Sequence, residues 1–401
     1  GVWEFRYGEV DRWGGAPYAW ELYAGERTCV ASLGRLVSAN GAIAPLYQGC
    51  FKTISHSYAA HLDHVLLASA AWPARVCSEI LSGRTVLEGG PSTAPAPAGV
   101  GGPNALTTFL LLAKLAARLV ALEFETLFRH QVWNVGVVRT PPHALLGHDV
   151  EFGVEWLPPP PRGRYYADPF VVVGDGQSTL LVEVWDFRTW RGTIAALDLE
   201  AAGVAVPRPA LSLPVHLSYP FVLEHRGEIY CVPETWQARQ VALYRAVRFP
   251  SRWEKVATLV EGAAVVDPTV FFFEGRWWLL GADQETGSNS TLYAWHADDL
   301  FGPWVPHRAN PLKTDVRSSR PAGTPFLHEG HLYRPAQDCS TTYGGSVVIN
   351  RVTRLTPSEF HEEPVAVLRP DPKGPYPHGL HHISFAGGVT VVDGCVVTFV
   401  P

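Results

Sequence analysis

Polar or ionisable residues stand where strand starts ought to be apolar. In ADPFVVV, SYPFVLE, VDPTVFFF, SRPAG and GLHHIS, the residues Asp168, Tyr219, Asp267, Arg320 and His381 sit at or just before the entry to five recurring segments. A second set, Glu183, Glu234, Asp283 and Arg334, falls toward the end of the run that follows each of the first four. Two carboxylates across a polar cleft support glycoside chemistry, one as an acid of raised pKa and the other as base or nucleophile. Tyr166, Trp185, Trp190, Tyr219, Trp236 and Tyr343 lie in the same segments and offer flat faces to sugar rings. Arg317, Arg320 and Arg334 belong to the loops NPLKTDVRSSRPAG and YRPAQDCSTTYGGS. Their guanidinium groups suit a bidentate grip on a carboxylate or phosphate, as a nucleotide sugar or phospholipid head requires; pairing with Asp315 and Asp338 is the rival account.

Positioning these residues falls to a unit that recurs from residue 131 onward. It comprises a polar residue beside Pro, an apolar strand, a Gly or acidic turn, and a second strand rich in aromatics. Five copies at a spacing of about 50 residues each have room for four short strands, the content of a β-propeller blade. HRGE (225–228), FEGR (273–276) and HEGH (328–331) read as hairpin turns within them. The last copy runs out after two strands, so WNVGVV (133–138) is expected to complete it and close the ring. The fold class expected is mainly β: a five-bladed β-propeller over 131–401. In a propeller the leading residues point at the axis and the second-strand acids return to the same mouth. Asp168 and Glu183 are therefore expected to face a funnel of solvent and ligand. The competing expectation is that these acids cap strand starts, bond backbone amides, or pair with Arg320 and Arg334.

Bulk properties narrow the function classes. The chain has 401 residues, 47% hydrophobic and 17% charged, which describes folded protein in more than one domain. A formal net charge of −6 leaves no basic footprint for nucleic acid. Six cysteines without a CxxC pair indicate neither a zinc ribbon nor a disulfide framework, and a reducing, cytoplasmic setting is expected. HGLHHIS (378–384) holds three imidazoles with no carboxylate partner assigned, which is weak ground for a metal site. With no GxGxxG, Walker A or GxSxG motif, no cofactor is expected. The chain opens mid-pattern on GVWEF and contains no Met, so a preceding segment is expected.

PSTAPAPAGVGGP (91–103) has linker composition and separates residues 1–90 from the rest. Residues 104–130 read as an amphipathic helix capped by Asn104, with Lys114, Arg118, Glu125 and Arg129 on one side. Two basic residues within the apolar run disfavour spanning a bilayer, at about 2.5–3.5 kcal/mol each. That leaves packing on neighbouring protein, the commoner fate, or peripheral contact with a membrane surface.

The repeats resemble the propellers of family 43 glycoside hydrolases and their relatives, in which the ADP motif of the first inner strand carries the catalytic base; the resemblance implies Asp168 for that role. Asp267, Glu183 and Glu234 then compete for acid or positioning roles, and Tyr219 stands where the family has a second Asp. Over 131–401 the motifs HLSYPFVLEHRGEIYCVPET, LFGPWVPHRANPL, SRPAG, YRPAQDCSTTYG and GLHHIS resemble the N-terminal propeller of glucosamine inositolphosphorylceramide transferases. This implies a glycan-related module whose ligand is a sugar, nucleotide- or lipid-linked, with Tyr219, Arg320, Arg334, Asp338, His381 and Trp185 as binding residues. It implies transfer, hydrolysis, or binding without chemistry. RWGGAP (12–17) and WELYAGERTCVASLGRL (20–36) resemble the later part of a formyltransferase domain. Glu4 and Arg6 replace that family's Asn and His, and SANGA (38–42) lacks its Asp, so residues 1–90 are expected to be a small α/β fragment without formyl-transfer activity.

Overall fold

The computed structural model describes residues 1–8, 16–37, 43–81, 83, 103–147, 152–174, 177–199 and 206–399. The linker at 91–102, the SANGA segment at 38–42 and residues 12–15 of RWGGAP lie outside the described residues. The chain divides into two compact units. One comprises Gly1–His130 with Thr314–Val316 and Phe399–Pro401; the other comprises Gln131–Lys313 and Arg317–Thr398.

In the first unit, β1 (Trp3–Tyr7), β2 (Thr28–Leu36) and β3 (Ile43–Lys52) form an antiparallel sheet in that order, with α1 (Ala19–Ala24) between β1 and β2 in sequence. α2 (Tyr58–Ser69), capped by Ser57, and α3 (Trp72–Leu81) follow, and Leu33, Phe51, Val65, Trp72 and Val76 close the core. α4 (Ala105–Phe128) starts where Asn104 Oδ1 accepts the Thr107 N–H at 2.9 Å, the cap that the sequence announced. Leu111 and Leu115 of α4 pack on Ala19 and Leu22 of α1.

The second unit is built of antiparallel sheets. β4 (Arg129–Val138) and β5 (Glu155–Trp156) come first in sequence. Then β6 (Arg164–Gly174), β7 (Gln177–Asp186), β8 (Arg191–Asp198) and β9 (Arg208–Leu211) form a first sheet. β10 (Ser218–His225), β11 (Glu228–Glu234), β12 (Gln240–Arg248) and β13 (Arg252–Glu261) form a second. The third holds β14 (Val265–Phe273), β15 (Arg276–Asp283), β16 (Thr291–Ala297) and β17 (Val305–Pro306), with β18 (Lys313–Thr314) also paired to β16. The fourth is β19 (Phe326–His328), β20 (His331–Asp338), β21 (Ser346–Leu355) and β22 (Phe360–Leu368). In the fifth, β23 (Ile383–Ala386) and β24 (Val389–Phe399) are completed by β4 and β5 from the other end of the unit, in the order β23-β24-β4-β5.

Local chemistry explains the hairpins. His225 pairs with Glu228, Phe273 with Arg276 and His328 with His331, each across two residues of positive φ. The second of these is a glycine (Gly227, Gly275, Gly330), as a type I′ turn requires. Apolar clusters join consecutive sheets. Leu181 and Ile194 meet Leu217 and Cys231 between the first and second. Phe221 and Leu243 meet Val270 and Leu279 between the second and third. Trp278 meets Leu332 and Val352 between the third and fourth, and Tyr333 and Ile349 meet Val138 and Val392 between the fourth and fifth. Val135 and Val391 of the fifth sheet meet Leu180 and Val182 of the first, so the succession of packed sheets returns to its start.

Candidate functional site

The leading strands of three sheets begin with the same irregularity. β6, β10 and β14 each shift register, between Ala167 and Phe170, Ser218 and Phe221, and Val266 and Thr269. At each shift one residue adopts a left-handed backbone: Asp168 (φ 49°), Tyr219 (φ 44°) and Asp267 (φ 50°). That conformation costs a non-glycine residue about 1–2 kcal/mol, so something must hold it.

What holds it is a carboxylate from the preceding sheet. Asp393 Oδ2 accepts the Asp168 N–H at 3.1 Å, Asp168 Oδ2 accepts the Tyr219 N–H at 3.1 Å, and Glu234 Oε2 accepts the Asp267 N–H at 2.9 Å. Between the third and fourth sheets the link is a side-chain pair, Arg320 Nε to Asp267 Oδ2 at 2.6 Å, joined by Gln337 Nε2 to the same oxygen at 3.0 Å. The fourth and fifth meet through backbone: the Ile383 N–H donates to Ala322 O at 2.9 Å. Gly323 lies against Ile383 so closely that a Cβ there would fall 1.8 Å from the Ile383 carbonyl oxygen. Asp393 Oδ1 also accepts the N–H groups of His381 and His382, both at 3.1 Å.

His381 sits between two acids, Nδ1 at 2.8 Å from Asp393 and Nε2 at 3.3 Å from Asp168. Burial alone would lower its pKa, but Asp393 and Asp168 outweigh that and raise it above the ordinary imidazole value. Burial would likewise raise Asp393, and His381 with the backbone donors outweighs it and holds the carboxyl below its usual range. Asp168 is pushed up to about 7 by burial, against the pull of His381, with Asp267 and Asp393 adding to the rise. Asp267 is pushed up to about 7 by burial, against the pull of Arg320. Glu183 is raised well above the ordinary carboxyl range by burial and then by Asp168 and Glu234, and its ion-pair neighbour, His216 Nε2 at 4.0 Å, is itself lowered to about 4 by burial. Burial raises Glu234 as well, against the pull of Arg320. Asp168, His381 and Asp393 offer ligand atoms within 4.8 Å of one another, a set able to hold a cation.

The structure thus brings Asp168, Asp267, Glu183, Glu234, Tyr219, Arg320 and His381 together, and it corrects the expectation of a solvent funnel at their carboxylates. Asp168 and Glu183 are each only 5% exposed. Asp168 Oδ2 and Glu234 Oε2 are occupied by leading-strand amides that positive φ turns toward them, and both oxygens of Asp267 are held by Arg320. Tyr219 is buried outright; its hydroxyl bonds Thr269 Oγ1 at 2.8 Å and accepts the Gly323 N–H at 2.8 Å. Arg334 lies elsewhere. Its guanidinium is used up on Glu362, at 2.6 and 2.8 Å, and on the carbonyls of Ser318 and Ser319. Asp338 caps a turn by accepting the Ser340 N–H, and Asp283 does the same for Glu285. Trp185 is half-buried, stacked on Tyr165 with centroids 5.9 Å apart, and its buried Nε1–H has no hydrogen-bond partner among the described residues. Edge-on to it, 6.2 Å away, stands Trp190, 65% exposed and held at φ 50°. Tyr166 is core.

Asp393 and Gln337 escaped the sequence reading, and His382 entered it only as one of the three imidazoles of HGLHHIS. The histidine cluster does have a carboxylate partner, Asp393, which follows the apolar run VTVV just as Glu183 follows LLV. The register of β23 on β24, Ile383 opposite Val392, puts His382 level with it.

Fold and site together define a module of five packed antiparallel sheets around a buried, densely charged centre. The family model described as "Glucosamine inositolphosphorylceramide transferase 1, N-terminal" matches residues 161–375, more than half of the chain, and the chain belongs to that family. It is 34% identical over 248 residues to the glucosamine inositolphosphorylceramide transferase 1 of Oryza sativa subsp. japonica, covering 58% of this chain and 33% of the relative. To that of Arabidopsis thaliana it is 36% identical over 207 residues, covering 50% and 27%. The chain therefore spans about a third or less of the length of these curated relatives. Among solved structures it is similar to a family-43 β-xylosidase/α-arabinofuranosidase from a compost metagenome: TM-score 0.43, 13% identity, 59% of this chain and 92% of that one.

Proposed function

We propose that the second unit is a five-bladed β-propeller serving as a carbohydrate-binding module. Its ligand is a sugar carried on a nucleotide or on a lipid phosphate. The observation that carries this reading is the tethering of the central carboxylates. Asp168, Asp393 and Glu234 each hold the backbone N–H of the next sheet's leading strand, and Asp267 is closed by Arg320 and Gln337. Carboxylates so engaged are poorly placed to attack or protonate a glycosidic bond, which needs a free oxygen within hydrogen-bond reach of the substrate. The propeller reading is supported by the return of the fifth sheet to the first. The sugar ligand is supported by family membership and by the exposed Trp190 beside the unpartnered indole N–H of Trp185.

A second reading has an observation of its own. Burial pushes Asp168 and Asp267 up to about 7 and Glu183 well above the ordinary carboxyl range, and perturbed carboxyls are what acid and base chemistry uses. In that reading Asp168 is the base, with Asp267, Glu183 or Glu234 as acid. Titrating the full-length chain with a panel of nucleotide sugars and phosphoinositol-linked glycans separates the two. A binder shows saturable binding with no product, and Trp190→Ala weakens it; an enzyme shows turnover that Asp168→Asn reduces by orders of magnitude. For the first unit we propose a formyltransferase-like fragment without formyl-transfer chemistry, since an arginine at Arg6, 3.9 Å from Glu4, cannot act as a base near neutrality.

A further inference from the structure

α4 is inside out. On a surface helix of a folded protein the apolar stripe turns inward and charge turns to water. Here the inward stripe contains Leu111 and Leu115 but also both cations of the helix. Lys114 Nζ donates to the Tyr23 carbonyl at 2.8 Å, and Arg118 Nη1 donates to the Leu22 carbonyl at 2.6 Å. Glu125 lies on the same side and pairs with Arg129 one turn on. The half opposite Leu111, taken at 100° per residue, carries Leu106, Phe109, Val120, Phe124 and Leu127, between 49% and 70% exposed, with alanines between them. Glu123 is the one charge on it.

We propose that this face of α4 lies in the plane of a lipid bilayer surface, with its apolar side chains sunk into the acyl boundary and the first unit standing above it. The width of the face selects lipid as its occupant. A helix seam with a second copy is a narrow a/d stripe flanked by charges at e and g, whereas this face is half the circumference and almost uncharged. The place where the first unit grips the helix decides between lying and spanning. Residues 111, 114, 115 and 118 are near the middle of the 24, so a spanning helix would drag α1, with its Glu21 carboxyl, to mid-bilayer. At about 36 Å of length the helix is long enough to cross, and its partner on the protein side forbids it. Because both cations lie on the α1 side and donate to its carbonyls, adhesion by the opposite face is apolar and needs no anionic lipid.

The test is flotation of the full-length chain with vesicles of pure phosphatidylcholine at low and high salt. The account predicts co-flotation at both salt concentrations and release by alkaline carbonate. It also predicts a fall in the bound fraction of about tenfold for V120D combined with F124D, with an unchanged melting temperature showing that the exposed substitutions leave the fold intact. Resistance to carbonate would establish a spanning helix and overturn the proposal. So would binding indifferent to the double substitution. Failure to float at all also rejects it, whether light scattering then shows a monomer or a dimer that Val120→Asp dissociates, the latter assigning the face to a second copy.

Discussion

Asp393→Asn is the sharpest perturbation of the centre. The wild-type carboxylate accepts three backbone N–H groups, from Asp168, His381 and His382, and meets His381 Nδ1 at 2.8 Å, while its side chain is fully buried. Hydrogen bonds to a buried charge are worth about 1.5–3 kcal/mol each, and removing one member of a buried ion pair costs about 3–5 kcal/mol. Asparagine keeps the shape and one acceptor, but its amide aims N–H at groups that are themselves donors. The loss should therefore sit near the ion-pair figure, about 3–5 kcal/mol. For a unit of this size about 2–4 °C is lost per kcal/mol, giving a fall of roughly 6–20 °C in Tm. Differential scanning calorimetry of the full chain reads it. A shift corresponding to less than about 1 kcal/mol, the scale of an ordinary substitution, would refute the claim that Asp393 holds the fifth sheet to the first.

Arg320→Met leaves Asp267 buried without its cation and should cost about 3–5 kcal/mol; adding Asp267→Asn should recover part of it, a coupling that a double-mutant cycle measures. Asp168, raised to about 7 from an unfolded value near 3.9, keeps a proton that the unfolded chain releases, so stability should fall as pH rises from about 4 to about 7. His381, raised above about 6.5, adds to that fall as pH rises through its folded value, and Asp393, lowered, acts only at the acid end. Asp168→Asn should flatten the profile of urea midpoint against pH in that window, and an unchanged slope would contradict the assignment. Trp190→Gly removes a large exposed ring from a left-handed position, so stability should hold or rise by about 1 kcal/mol while glycan affinity falls about tenfold, a split visible by comparing melting with titration. Arg226→Asn, which places Asn-Gly in the β10–β11 turn, should raise stability by roughly 0.5 kcal/mol in chemical denaturation.

Particular residues show how far the sequence reaches. The two-residue hairpins were legible because HRGE, FEGR and HEGH carry a glycine where φ must be positive. The crossover of WNVGVV into the last sheet was legible because the final repeat stops after two strands. Asp168, Glu183, Glu234 and Asp267 stood out as acids interrupting apolar runs, and they do converge. Arg334 was misplaced through strand parity. Gln337 of β20 reaches Asp267, and a side chain three positions away in a strand points to the opposite face. Asp393 obeys the second-strand rule that picked out Glu183, but its partner strand opens on His381 and His382 rather than on an acid before proline, so the repeat hid it. Whether a carboxylate faces solvent or a neighbour's backbone N–H depends on bulge geometry, and sequence periodicity does not encode it.

In the proposed function the charged centre is architecture, and the exposed Trp190 beside Trp185 is where ligand binds. That reading is tested most directly by titrating the full-length chain, Asp168→Asn and Trp190→Ala in parallel with the panel of nucleotide sugars and phosphoinositol-linked glycans, while monitoring for product. The account predicts saturable binding without turnover, kept within a few-fold by Asp168→Asn, once its lower stability is allowed for, and weakened about tenfold by Trp190→Ala. Turnover by the wild type that vanishes in Asp168→Asn while Trp190→Ala retains it would contradict the account.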